Sequence, residues 1–271
     1  MNFFKHARRT FLSLAIAAFL PAPFAALRAQ RQPSPLRVAA AADLQFALKD
    51  IAQQYQHQTG HKVDITFGSS GNFFSQLQNG APFDVFFSAD VEYATRLQQD
   101  NLIEPNSLLK YAIGRIVLWM PASSKIDLLA QKWNALLDPS VQKIAIANPE
   151  HAPYGRAAVD ALKHAGLYDK VESKLVYGEN ISQAAQFVES GNAQAGIIAL
   201  SLAVSPAMES GQRWGIPVDQ YASLEQAAVI LKSSPDKEAA HAFLAFVSSD
   251  AGERTLANFG FAIPNAASPA N

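Results

Sequence analysis

The chain has 271 residues, 49% of them hydrophobic, a formal net charge of -1 and no cysteine. That is an ordinary globular composition, long enough for a sizeable core in one large or two medium domains. The near-neutral charge argues against a nucleic-acid binder, which needs a basic face to neutralise phosphates, and without cysteine no disulfide can form.

The first segment, 1–29, stands apart. Lys5, Arg8 and Arg9 precede an apolar run from Phe11 to Leu20, followed by proline and small residues. This is the pattern of an export signal, and its apolar core of roughly ten residues is too short for a membrane helix, which needs about 20. Arg8-Arg9 followed by Thr10-Phe11-Leu12 has the look of a twin-arginine signal, with a general secretory signal as the alternative. Cleavage is expected after Ala29, with Ala25 and Ala26 as other options.

After a proline-containing spacer, short apolar stretches alternate with amphipathic ones. Leu36 to Ala40 reads as a strand, and Leu44, Leu48, Ile51 and Tyr55 then recur at helical spacing until Gly60. Val63, Ile65 and Phe67 alternate as in a strand; GSSG and a helix through Phe73, Phe74 and Leu77 follow. Val85 to Phe87 is a buried strand before a helix from about Val91. Farther on, strands are predicted at Arg115 to Met120, Lys143 to Ala147, Leu175 to Tyr177 and Ala195 to Leu200, with helices over Arg156 to Ala165 and Ile181 to Glu189. Strands alternating with helices indicate a mainly parallel α/β sheet with both faces covered. The strands fall into two sets, 36–115 and 116–222, and the last segment, Ala227 to Leu231, can return to either. Two α/β lobes place a cleft between them, at the carboxyl ends of their strands, where ligands bind in such folds.

Four strand-to-helix loops share small or hydroxyl residues where helix-start NH groups would be open: Ala39 to Asp43, Gly68 to Gly71, Ala152 to Gly155 and Gly178 to Ile181. A helix N-terminus offers unpaired NH donors and about half a positive charge, so it suits an anion. Each loop also has a plainer reading: Asp43 as an N-cap, Ser69 and Ser70 as turn residues and a cap, Tyr154 as a surface aromatic, Ile181 as a first-turn hydrophobe. Their recurrence is what points to a site.

The combination AAAADL, FGSSGN, GAPFDVFFSAD, ANPEHAPYG and GENI, ending in GFAIP, resembles the periplasmic molybdate-binding proteins of ABC transporters, from about Leu36 to Pro264. The resemblance implies a two-lobed type II periplasmic binding fold, mainly parallel sheets with helices on both faces, and a hinge of two crossover strands. It implies lobe 1 over 36–115 plus 223–265 and lobe 2 over 116–222. It also implies a monomer in the periplasm that holds a tetrahedral oxyanion, molybdate or tungstate, through neutral donors and hands it to a membrane ABC permease. No cofactor, nucleic acid, catalysis or metal beyond the oxyanion's own Mo or W is expected.

Carried over by position, the ligand residues are Ala42 and Asp43 in the first loop, Ser70 in the second, Tyr154 in the third and the NH of Ile181 in the fourth. Two departures matter. Some members have serine where this chain has Asp43, and a carboxylate would repel a dianion in a water-poor cleft; its side chain is therefore expected to turn away and cap its helix while its NH faces the ligand. Some members use a tyrosine where this chain has Ala199, leaving Tyr154 to supply the hydroxyl.

Three other readings compete. Ser69 or Ser70 with His151 and Asp84 or Asp90 can be assembled into a nucleophile, base and orienter, but no G-x-S-x-G elbow is present and nothing in the sequence brings His151 to Ser70; His151 is assigned to its own turn. His57 and His61 have zinc-pair spacing, interrupted by Gly60 and lacking a third ligand. Arg156, if it faces the cleft, makes an organic acid the cargo; otherwise it lies on the exposed first turn of its helix. Sulfate is a further alternative anion.

Overall fold

In the computed structural model, which describes residues 34–264, the alternating pattern becomes two five-stranded sheets. The export segment assigned to 1–29 lies outside the described residues. The chain enters through β1 (Leu36–Ala41), a single 3-10 turn (Ala42–Leu44), α1 (Ala47–Thr59), β2 (Val63–Gly68), α2 (Ser70–Gln78), β3 (Val85–Ser88), α3 (Val91–Gln99) and β4 (Leu109–Gly114). It then crosses at Arg115 into β5 (Ile116–Met120), α4 (Leu128–Gln131), β6 (Ile144–Ala147), α5 (Pro153–His164), α6 (Tyr168–Val171), β7 (Leu175–Gly178), α7 (Ile181–Glu189), β8 (Ala195–Ala199), α8 (Leu200–Ala203) and β9 (Gln212–Gly215). It returns as β10 (Leu224–Ile230), α9 (Lys237–Val247) and α10 (Asp250–Asn258).

The sheets are mixed. The first has the order β2-β1-β3-β10-β4 and the second β7-β6-β8-β5-β9. In each, four strands run in one direction and one runs against them, the strand that follows a crossover: β10 against β3 and β4, β5 against β8 and β9. Segment 227–231, which the sequence left open between the sheets, joins the first. Antiparallel placement of β5 and β10 has no local signal, because a strand buried on both faces reads as an apolar run whichever way it points.

The first sheet is covered on both sides, and the pleat sorts its residues. Val38, Ala40, Val85, Phe87, Ala228 and Ile230 pack with α1, α9 and α10, whereas Ala39, Phe86, Ala227 and Val229 pack with α2 and α3. Helix ends follow their local chemistry. Gly60 closes α1 with φ +76°, a left-handed conformation that favours glycine. Ser69, Asp90 and Asn180 cap α2, α3 and α7 through their side chains, and Pro153 starts α5 where a missing NH is harmless. Among the described residues, no helix is long and apolar enough to cross a membrane.

The two sheets share a core. Ala41, Ala42 and Ala89, at the ends of β1 and β3, lie in the same buried cluster as the apolar side chains around the second sheet. Small side chains at these strand ends allow the loops of one sheet to approach those of the other.

Candidate functional site

The parallel strands of both sheets deliver their following loops to one place. Ala42 and Asp43 after β1, Ser70 after β2, Tyr154 at the start of α5 and Ile181 at the start of α7 all line a single small pocket, with Ala89 after β3 beside them. The five residues singled out in the sequence are thus brought together, each buried. The pocket has a volume of about 10 Å³, room for about one water-sized sphere. A four-oxygen anion therefore enters only if the loops move apart. None of the residues lining it is lysine, arginine or histidine.

The donors are set by the helix starts. In the first loop, β1 passes directly into the 3-10 turn, whose N-cap, Ala41, has no side chain able to cap. In the second, Ser69 caps α2 through a bond from Asn72 N, while Ser70 Oγ accepts from the Ala89 amide at 3.0 Å. In the fourth, Asn180 Oδ1 takes the amides of Ser182 and Gln183, not that of Ile181.

Asp43 does not behave as its sequence context suggests. Its side chain makes no cap bond; it is 1% exposed, and its Oδ2 accepts from Tyr154 Oη at 2.9 Å and from Gln226 Nε2 at 2.6 Å. Gln226 Nε2 also reaches Tyr154 Oη at 3.1 Å, Tyr111 Oη donates to Gln226 Oε1 at 2.6 Å, and Ser201 Oγ holds the Asp43 carbonyl at 2.7 Å. The expected helix cap is not formed because Tyr154 and Gln226, far away in sequence, offer buried donors to the carboxylate. The Tyr154 hydroxyl, expected at the ligand, donates to this carboxylate instead.

Burial without a counter-charge pushes Asp43 up to about 6, against the opposing hydrogen bonds from Gln226 and Tyr154 and the weaker pull of the Asp43 and Leu44 NH dipoles, which lie nearby without bonding to Oδ1. Tyr154 and Tyr111 are raised well above the ordinary phenol range, first by burial and then by the adjacent Asp43 charge. An anion about 4 Å from an ionised Asp43 would meet roughly 4 kcal/mol of repulsion per unit charge at an effective dielectric constant of about 20.

Gln226, Tyr111 and Ser201 were not singled out from the sequence. Gln226 had a signal: it is a polar residue inside the apolar strand LEQAAVI, is fully buried, and sits where β10 shifts register against β4. A buried amide requires partners.

Around the pocket, the loops of the two sheets are tied together. Gly71 N donates to the His151 carbonyl at 2.9 Å, Asn72 Nδ2 to Glu179 Oε1 at 2.6 Å, and Ser182 Oγ to Gln45 Oε1. His151 Nδ1 lies 3.0 Å from Ser69 Oγ, so its ring leaves its own turn to bridge the sheets, a correction to its sequence assignment. Its Nε2 lies 3.7 Å from Glu179, whose side chain is 60% exposed, a surface pair of little energetic weight. Neither Asp84 nor Asp90 orients it: Asp84 pairs with Arg37, and Asp90 with Arg156. Arg156 Nη2 lies 2.6 Å from Asp90 and Nη1 donates to Tyr93 Oη, so the guanidinium spans the two sheets and is absent from the pocket lining. Among the described residues, no group of three or more His, Cys, Asp or Glu side chains is placed to hold a metal ion.

The chain matches the family model described as bacterial extracellular solute-binding protein over residues 36–262. It is 38% identical to the molybdate-binding protein of Azotobacter vinelandii over 233 residues, 86% of this chain and 91% of that one. It is 36% identical to the molybdate-binding protein of Rhodobacter capsulatus over 223 residues, 82% of this chain and 86% of that one. A solved structure of the Azotobacter vinelandii periplasmic molybdate-binding protein superposes with a TM-score of 0.79 at 35% identity, covering 84% of this chain and 99% of that one. The two mixed sheets with helices on both faces are the type II periplasmic binding fold of that structure. The chain belongs to the bacterial extracellular solute-binding protein family and, within it, to the group of the molybdate-binding proteins it matches.

Proposed function

We propose that this protein is a periplasmic solute-binding protein that captures molybdate or tungstate between its two lobes and delivers it to a membrane ABC permease. The observation that carries this reading is the convergence of helix-start loops from both sheets on one pocket lined by no basic side chain. Such a pocket recognises a compact anion by dipoles rather than by charge pairing. The candidate ligand donors are the Ser70 hydroxyl and the backbone NH groups of Asp43, Ser70 and Ile181, with Ala42 in contact; Tyr154 joins them as its hydroxyl turns from Asp43 to the anion. Each bond to an anion contributes roughly 1.5 to 3 kcal/mol, association costs about 4 to 15 kcal/mol, and micromolar affinity needs about 8 kcal/mol. Five or so donors are therefore enough when preorganised, and one or two are not.

Closure follows from where the donors reside. Asp43 and Ser70 are carried by one sheet, Tyr154 and Ile181 by the other, so the anion stabilises the closed arrangement by touching both. The crossovers at Arg115 and between β9 and β10 are the places where a hinge can bend. The protein works as a monomer, without cofactor or covalent chemistry, after its export segment is removed. Arg156, engaged by Asp90 and Tyr93, lends no support to an organic-acid cargo.

Thermal denaturation with molybdate, tungstate, sulfate, phosphate and small carboxylates tests the reading, because a ligand specific to the folded state raises the melting temperature by mass action. Molybdate and tungstate should raise it and carboxylates should not. Indifference to both metal oxyanions would refute the proposal.

A further inference from the structure

Asp43 puts a carboxylate into a pocket that, on the reading above, receives a dianion. The group lines the pocket, is 1% exposed, and has its Oδ1 buried without a hydrogen-bond partner among the described residues. Its other oxygen is already taken by Tyr154 and Gln226. The elements packed against it supply no compensating charge: α5 brings the Tyr154 phenol, β4 the Tyr111 phenol through Gln226, β10 the Gln226 amide and α8 the Ser201 hydroxyl. Two basic groups of the surrounding loops are engaged elsewhere, Arg156 with Asp90 and Tyr93, and His151 with Ser69 and Glu179.

We propose that Asp43 takes up one proton from solvent when the oxyanion is captured, so that its carboxyl group changes from a repelling charge into a hydrogen-bond donor to the bound anion. No bond within the anion changes; the carboxylate and a solvent proton become a carboxylic acid, and the dianion keeps its charge. The free Oδ1 is the atom available to carry this proton, because Oδ2 is occupied by two donors. Burial already holds the acid in the range where such uptake is accessible near neutrality. Asp43 thereby becomes a specificity residue. A fully deprotonated oxyanion needs the proton on Asp43, whereas an anion bearing its own proton, such as monohydrogen phosphate, would find the ionised form an acceptor.

The inference rests on the oxyanion-capture reading, and one experiment separates the two. The purified protein is titrated calorimetrically with sodium molybdate in buffers of different ionisation enthalpy, from about pH 6 to about pH 8.5. The expected result is uptake approaching one proton per anion, with affinity falling roughly tenfold per pH unit above about 6. Asp43→Asn, which keeps an amide donor, should bind with no such uptake and a flat profile. An infrared difference spectrum on adding molybdate should show a protonated carboxyl band in the natural protein, a readout independent of the variant's folding. Molybdate binding by the natural protein with no proton uptake and unchanged affinity across this range would overturn the role of Asp43 and leave oxyanion capture standing. Failure to bind molybdate at any pH, or binding of hydrogen phosphate alone, would overturn both.

Discussion

In the absence of any anion, Asp43 should make the folded state less stable as pH rises, the reverse of the usual carboxylate. Its acid is raised from 3.8 to about 6, which at 1.36 kcal/mol per pH unit makes a contribution of about 3 kcal/mol. Because the folded value lies above the unfolded one, this contribution is fully present below about 3.8, is lost as pH rises toward about 6, and is constant beyond. Asp43→Asn removes the titration and leaves the shape of the site. The stability of the variant minus that of the natural protein should therefore grow by about 3 kcal/mol between about pH 4 and about pH 7. For a protein of this size that is a relative change in melting temperature of about 6 to 12 °C. Urea or thermal unfolding of both proteins across that range, without anion, measures it. Comparing the two cancels other titrating groups such as Asp84, whose acid is lowered: burial pushes it up, but the bonds from Arg37 and Ser234 outweigh that. A difference that stays constant with pH would refute the reasoning, since it would mean that the carboxylate ionises in the fold as easily as in water.

Gln226→Leu should move the inflection of that pH dependence upward, because it removes the Nε2 donor 2.6 Å from Asp43 Oδ2; the same unfolding series measures it. Ser70→Ala should weaken molybdate binding by roughly 10- to 100-fold, the loss of one bond to an anion of about 1.5 to 3 kcal/mol, read by titration. Unchanged affinity would remove Ser70 from the site. Gly71→Ala should weaken anion binding while the protein still folds, because a Cβ there would lie 2.6 Å from the His151 carbonyl oxygen and 2.8 Å from Tyr93 Oη, forcing the facing loops apart. Small-angle scattering with and without molybdate should show less compaction in that variant than in the natural protein.

The sequence by itself determined what depends on neighbours a few residues away. The helix of Leu48, Ile51 and Tyr55 and its stop at Gly60 were legible from spacing, as were a cap in the Ser69-Ser70 turn and the short buried strands, because these arise from local hydrogen bonds and from the period of apolar side chains. So was the set of strand-to-helix loops that line one pocket, since such connections in α/β sheets fall at one edge. Only the tertiary structure decided that β5 and β10 run antiparallel, that His151 leaves its turn to meet Ser69, and that Arg156 joins Asp90 across the sheets. It also decided where the Asp43 carboxylate points. A capping position was available locally, but donors from Tyr154 and Gln226, 111 and 183 residues away along the chain, converge on the carboxylate in a buried site. In such a site the direction of a polar side chain is set by which distant partners satisfy it, and short-range pattern carries no record of them.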